Sequence, residues 1–374
     1  MPGKISEWSD YALTEEQKKH WMEHGFIKIE NCFSHELAEK WTSSIWTRLG
    51  ASLDDKSTWP TEKLNMPGHT VISVQEHAPK AYAAMCELVG GEDRIADWCK
   101  YWKDGFIVNL GKPEFKETDR LDVRTLDNWH CDGDWFTHFL DSPEQALLVI
   151  PLFTEIKPKG GGTIICTDGI KLVAERLYSL PQGATPYLAP RGSPEIPKSN
   201  PERRKLWNSW VQNPGLCRDE SFHEATGQVG DVYFLHPFML HSASRNLLRS
   251  VRIITNPPVA LKEPFNYDRR DGNYSLVEAK TLKDLGRPKG LPEWKIAGPR
   301  ELLPSAGGRI KVGSSMNIGP LESLHQARTI LIIEIPMQMQ EEMKRNELER
   351  LKIAGKPIHT LEGASEYGLE YYPS

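Results

Sequence analysis

The chain has 374 residues, 39% of them apolar and 26% charged, with a formal net charge of −5. It is long enough to bury one sizeable core, and it lacks both the basic excess that attracts nucleic acid and the run of about eighteen apolar residues that spans a membrane. The opening Met1-Pro2-Gly3-Lys4-Ile5-Ser6-Glu7 has no apolar stretch of the secretory kind and the six cysteines form no Cys-x-x-Cys pair, so reduced thiols in the cytoplasm are expected.

Thr14-Glu15-Glu16-Gln17 has the form of a capping box, and Gly25 closes the short helix that it opens. Phe26 to Glu30 alternates as a half-buried strand does. Ser34 is placed to cap a helix running through Leu37, Trp41, Ile45, Trp46 and Leu49. Residues 54–69 are polar and carry two prolines, and a second helical pattern from Pro79 gathers Tyr82, Met85, Cys86 and Val89 on one face. The first hundred residues are therefore read as mainly helical.

Short apolar runs follow at Gly105 to Leu110, Ala146 to Phe153, Thr163 to Cys166, Val229 to Leu235 and Val251 to Asn256. Rich in Val, Ile and Phe and punctuated by Gly and Pro, they predict a β core over residues 101–260. A proline-rich tract within 181–228 is read as an insertion over one mouth of that core. Residues 261–374 form a C-terminal extension with a strand-like run from Thr329 to Pro336 and a charged helix from Met337 to about Ile353. No linker divides the chain, so residues 1–374 are expected to form a single domain.

The chemistry is carried by Trp129-His130-Cys131-Asp132-Gly133. Two residues apart on a strand, His130 and Asp132 project from one face with Cα atoms about 6.5 to 7 Å apart and can converge on one metal ion, while Cys131 faces away. A neutral imidazole, a carboxylate and one further His suit divalent iron and leave coordination positions open. The further His is either His236 or His241; His241 is preferred, because it ends an apolar run and enters the turn Ser242-Ala243-Ser244-Arg245-Asn246. Arg252 follows amid apolar neighbours. A buried Arg needs an anion, and a dicarboxylate could bind it with one end and chelate the metal with the other.

Trp129-His130-x-Asp132-Gly133, the stretch Gly230-Asp231-Val232-x-Phe234-x-His236-Pro237-x-x-x-His241-Ser242-x-Ser244-x-Asn246, and Arg252 eleven residues after His241 together resemble the phytanoyl-CoA dioxygenase family of Fe(II)/2-oxoglutarate-dependent oxygenases. So does Leu13-Thr14-x-x-Gln17 leading to Gly25-Phe26. The resemblance spans roughly residues 10–260. It implies an α+β, mainly β fold, a double-stranded β-helix of the jelly-roll, cupin-like kind with N-terminal helices packed on it. It also implies His130, Asp132 and His241 as iron ligands and Arg252 as the partner of the distal carboxylate of 2-oxoglutarate, with O2 as the other cosubstrate. Hydroxylation or desaturation of a small molecule would follow, with succinate and carbon dioxide as coproducts. The Asp132 carboxylate speaks against halogenation, since relatives that halogenate carry a small residue there.

Thr163 and Asn109 are further candidates for the cosubstrate, and Asp134, Trp135 and His138 for substrate. Each of these three has a bland reading beside the functional one: a hydrogen-bonded pair fixing the loop for Asp134 and His138, core filling for Trp135. The other classes compatible with the same ligands are a metal-dependent cupin-like hydrolase or isomerase and a noncatalytic ligand-binding homologue. A monomer or homodimer is expected.

Overall fold

The N-terminal signals are realised as written. In the computed structural model, which describes residues 9–60, 62–66, 68, 70–193, 202 and 204–303, helix Glu15–His24 starts with the complete capping box of Thr14 and Gln17. Gly25 ends it in the left-handed region (φ 70°), its N–H bonded to the Trp21 carbonyl. The expected strand and helix at Thr329 to Ile353 lie outside the described residues.

The helix expected from Ser34 to Leu49 is divided into His35–Thr42 and Ile45–Leu49. The Thr42 hydroxyl donates to the Ala38 carbonyl and the Ser43 hydroxyl to that of Lys40. Side chains that bond the preceding turn compete with the backbone ladder and interrupt the helix there. Helix Pro79–Val89 forms as expected, with Tyr82, Met85, Cys86 and Val89 all buried.

The strands are β1 (Phe26–Ile29), β2 (Lys63–Asn65), β3 (Val71–Ser73), β4 (Tyr101–Lys103), β5 (Ile107–Asn109), β6 (Leu147–Pro151), β7 (Thr163–Cys166), β8 (Phe222–Ala225), β9 (Val232–Leu235), β10 (Leu240–Ala243), β11 (Arg252–Ile254) and β12 (Pro258–Val259). They form antiparallel sheets in the orders β1-β9-β6-β12, β10-β7-β8, β11-β5-β2 and β3-β4. Strands β6, β7, β9 and β11 are buried along their whole length, which is why they read as continuous apolar runs. Several elements were not expected, helices Gly169–Tyr178 and Leu276–Asp284 among them. Strand β2 lies in the polar 54–69 stretch, and helix Lys205–Gln212 lies in the proline-rich tract with Trp207 and Val211 buried.

The sheets and helices meet around one apolar core that includes Trp21, Tyr82, Trp102, Phe106 and Phe234. Among the described residues, no helix is long and apolar enough to cross a membrane.

Gly25 sits where helix, strand and core converge: its carbonyl accepts from His236 N–H, and a Cβ there would collide with Ile170. Gly50 also has a left-handed φ, of 64°, but open space around it. Chemical denaturation should therefore show Gly50→Ala costing about 1 kcal/mol, the conformational penalty alone, and Gly25→Ala costing at least twice that.

Candidate metal centre and anion pocket

His130 and His241 face each other as an isolated antiparallel bridge in which each N–H donates to the other's carbonyl at 3.0 Å. Strand β10 brings His241 to this point, its register fixed by β7 through Leu240↔Cys166, His241↔Ile165, Ser242↔Ile164 and Ala243↔Thr163. The two imidazoles lie 4.2 Å apart between centroids. Both rings are oriented in the same way, each Nδ1–H donating to the carbonyl two residues upstream: Asn128 for His130 (2.6 Å) and Met239 for His241 (3.1 Å). A carbonyl can only accept, so the proton resides on Nδ1 and the Nε2 lone pair is left for a ligand.

Both Nε2 atoms approach Asp132 Oδ1, at 3.4 Å from His130 and 3.6 Å from His241. One ligand atom from each of the three residues falls within 4.8 Å of the others, and this is the one such His/Asp/Glu/Cys group among the described residues. Burial would raise the Asp132 carboxyl, but the neighbouring His241 and His130 outweigh it and hold the group well below the usual carboxylate range. Burial, with His241 adding to it, lowers the His130 pKa. A carboxylate and two imidazoles that expose Nε2 lone pairs once neutral make the donor set that a divalent transition metal takes, and the carbonyls behind the rings fix the tautomer it needs. The residues fit such an ion.

His236, the other candidate, is fully buried elsewhere. Its Nε2 lies 2.9 Å from Thr281 Oγ1 and its Nδ1 accepts from Phe238 N–H, and burial pushes its pKa down to about 3. It is a core histidine. Cys131 points away from the centre, its thiol directed to the Phe238 carbonyl.

Arg252, 2% exposed, lies on β11 and opens on the same cavity as the three ligands. Its Nη2 donates to Thr163 Oγ1 at 3.0 Å and its Nη1 to the Ile107 carbonyl at 3.5 Å. Its Nε has no acceptor, and no carboxylate among the described residues pairs with it. Burial lowers its pKa to about 9, which still leaves a cation at neutral pH.

The cavity holds about 550 Å³, a volume suited to a small organic ligand, and Thr163, Asp134 and Trp135 are among the residues that line it. Two other candidates are not brought there. The Asn109 amide donates to the Ser244 carbonyl and accepts from Gly111 N–H, tying β5 to the turn after β10. His138 donates from Nε2 to the Gly133 carbonyl at 2.6 Å and stacks on Phe136, and burial holds its pKa near 4. It fixes the loop that follows Asp132.

Sequence reasoning missed several lining residues: Lys63 and Asn65 from β2, Gln145 before β6, Tyr187, and Arg204 with Trp207 at the start of helix Lys205–Gln212. The spacing Trp207-x-x-Trp210-Val211 carried a readable helical signal. Three residues of alternation, Lys63-Leu64-Asn65, carried almost none.

No protein-family model matches the chain, and no curated protein matches it in sequence. Among solved structures it is similar to HygX from Streptomyces hygroscopicus with nickel, 2-oxoglutarate and hygromycin B bound, at 14% identity and a TM-score of 0.35 over 66% of this chain and 87% of that one. It is also similar to the non-heme alpha ketoglutarate dependent carbocyclase SnoK from nogalamycin biosynthesis (14%, TM-score 0.33, 78% and 96%). A third is AviO1 from Streptomyces viridochromogenes Tue57 (13%, TM-score 0.33, 66% and 93%). These likenesses are distant, below the level that assigns a function.

Removing any one ligand should leave two, too few to hold a divalent ion firmly. Anaerobic titration of His130→Ala, Asp132→Ala or His241→Ala with Fe(II) should show affinity lower by at least about 100-fold, whereas His236→Gln should bind the metal as the parent does.

Proposed function

We propose that the chain is a non-haem Fe(II)/2-oxoglutarate-dependent dioxygenase of the phytanoyl-CoA dioxygenase type, hydroxylating or desaturating a small molecule as 2-oxoglutarate is decarboxylated to succinate and carbon dioxide. The observation that carries this reading is Arg252: a buried guanidinium, without an acidic partner among the described residues, opening on the same cavity as the His130, Asp132 and His241 ligand set. Desolvating a cation without a counter-ion is costly, so a site that keeps one is built for a ligand that brings the anion. A cosubstrate with a carboxylate at each end satisfies both halves of the cavity.

In this reading His130 and His241 would hold iron through Nε2 and Asp132 through its carboxylate, while Arg252 and Thr163 would receive the distal carboxylate of 2-oxoglutarate. Bound iron with 2-oxoglutarate and O2 would supply the oxidising power. The chain's own part is positional. The carbonyls of Asn128 and Met239 fix the ligand rings, the His130–His241 bridge fixes their separation, and Leu148, Ile150 and Ile254 give the cavity an apolar wall against bulk water. The filled Asp132 position favours oxygen transfer over halogenation. The antiparallel sheets are read as a double-stranded β-helix. A cupin-like hydrolase would leave Arg252 without a task.

Arg252→Met keeps the bulk of the side chain and removes the charge. Calorimetry under argon should show the Kd for 2-oxoglutarate rising by roughly 100-fold while Fe(II) affinity stays within a factor of two or so, since a charge-assisted pair is lost and no ligand is touched. Succinate release by the parent protein should require iron. Unchanged 2-oxoglutarate binding in the variant would overturn the reading.

A further inference from the structure

Three histidines that the chemistry above does not use meet at the far edge of the β10-β7-β8 sheet. His20 and His24 stand four apart on helix Glu15–His24, a spacing that puts both rings on one face, and their centroids are 4.5 Å apart. His223 comes from β8, and its ring centroid lies 5.8 Å from that of His24. Phe26 of β1 packs against all three, at 4.8, 6.1 and 5.2 Å from His20, His24 and His223. Strands β1 and β8 are edges of two different sheets, so the cluster bridges two margins that no backbone ladder joins. His223 also shares a row with the candidate ligand His241: both pair with Ile165 of β7, which sets them two strands, or about 10 Å, apart at Cα.

Hydrogen bonding does not account for these rings. His223 Nε2 is buried and has no hydrogen-bond partner among the described residues. His24 Nε2 meets Glu23 Oε1 only at 3.8 Å, beyond hydrogen-bond reach. Burial, with His24 adding to it, lowers the pKa of His20 against the opposing pull of Glu23 and Glu16. Burial, with His24 and His20 adding to it, lowers that of His223. Both rings are therefore neutral at neutral pH, each with a lone pair to give. Lys280 and Lys283 already donate to the Glu23 and Met22 carbonyls, so an ion here would be held by the imidazoles and not by the helix end.

Two histidines at i and i+4 on one helix face form a zinc chelate, and on a tetrahedral ion with Zn–N bonds of about 2.0–2.1 Å the ring centroids stand about 5 Å apart. The observed 4.5 and 5.8 Å lie on either side of that value. The three nitrogens do not yet close to within 4.8 Å of one another, as the ligand atoms of the first centre do. His20, His24 and His223 are each half-buried, which leaves the rings room to turn toward a shared ion.

We propose that His20, His24 and His223 form a second divalent-metal site, which takes an imidazole-preferring ion such as Zn(II) and staples helix Glu15–His24 to the edge of β8. The general order of affinities places zinc, nickel and copper above iron at such a set, and no carboxylate ligand is present to favour a harder ion. Glu23 and Glu16 offset part of the ion's charge from the helix side. Since the unfolded chain lacks the site, occupation stabilises the fold by linkage.

The proposal does not depend on the function proposed above. Its test titrates the full, untagged, metal-stripped chain with Zn(II) near neutral pH against a chromophoric chelator. The parent should bind two equivalents; His20→Gln, His24→Gln and His223→Gln should each weaken one of them by at least about tenfold, whereas His241→Ala should weaken the other. His20→Cys should retain the equivalent that His20→Gln loses, because a thiolate also binds zinc, and a variant that had merely misfolded would show no such rescue. Zn(II) should raise the Tm of His241→Ala but not that of a chain carrying both His241→Ala and His24→Gln. A parent that binds only the equivalent lost in His241→Ala, or a second equivalent that His223→Gln leaves unchanged, would overturn the proposal. If His241→Ala removes nothing while His24→Gln removes an equivalent, the first centre falls and the second stands.

Discussion

The reciprocal backbone bridge between His130 and His241 is the constraint from which the site is built. It joins two segments more than a hundred residues apart in sequence and sets the separation of their imidazoles. Its register admits no slack. A slip of one residue would present Trp129 or Cys131 in place of His130 and turn the ligand to the opposite face. The four pairs between β10 and β7 guard against that slip, and β7 then carries the same register to Thr163, the hydroxyl that receives Arg252. Ligand geometry and the guanidinium's placement therefore share one hydrogen-bond ladder.

Electrostatics divides the cavity into a half that holds its charge with help and a half that holds it without. Asp132 has both ring Nε2 atoms within 3.6 Å and a place in the ligand set that a divalent cation would share. Arg252 has only a hydroxyl and a carbonyl for company. Such a guanidinium detracts from the stability of the empty protein, and any anion that binds it returns that stability through linkage. The ligand is in this sense part of the fold's energetics.

The sequence made the chemical elements of the site legible and hid its walls. His241 and Arg252 stand on strands β10 and β11, whereas His130 and Asp132, expected on a strand, lie in a loop that meets β10 through a single bridge; the mutual spacing of the four carries information that no single pair does. The capping box of Thr14 and Gln17 and the closing Gly25 were equally readable, because local backbone chemistry decides them. Lys63 was not, since a three-residue edge strand has too little alternation to distinguish it from a polar loop. Asn109 and His138 show the opposite difficulty: polar residues next to a site look functional in sequence, and only their hydrogen bonds to Ser244, Gly111 and Gly133 reveal that they brace backbone. The division of the Ser34 to Leu49 helix turned on hydroxyls bonding backward, which a hydrophobic pattern does not register.

The placement of Lys63 on β2 has a consequence for how such a protein can change. An edge strand is hydrogen-bonded on one side only, and β2 has β5 as its single neighbour, whereas β7 has strands on both flanks. Helix Lys205–Gln212, which brings Trp207, is likewise outside every backbone ladder and is held by side-chain contacts such as the bond from Arg124 to the Val211 carbonyl. Residues facing the cavity from these peripheral pieces can be exchanged without disturbing the register that aligns His130 with His241. Divergence in what the cavity accepts is thereby mechanically uncoupled from the chemistry performed there, and a descendant of this chain could acquire a new ligand preference by rewriting its margins while its centre stayed fixed.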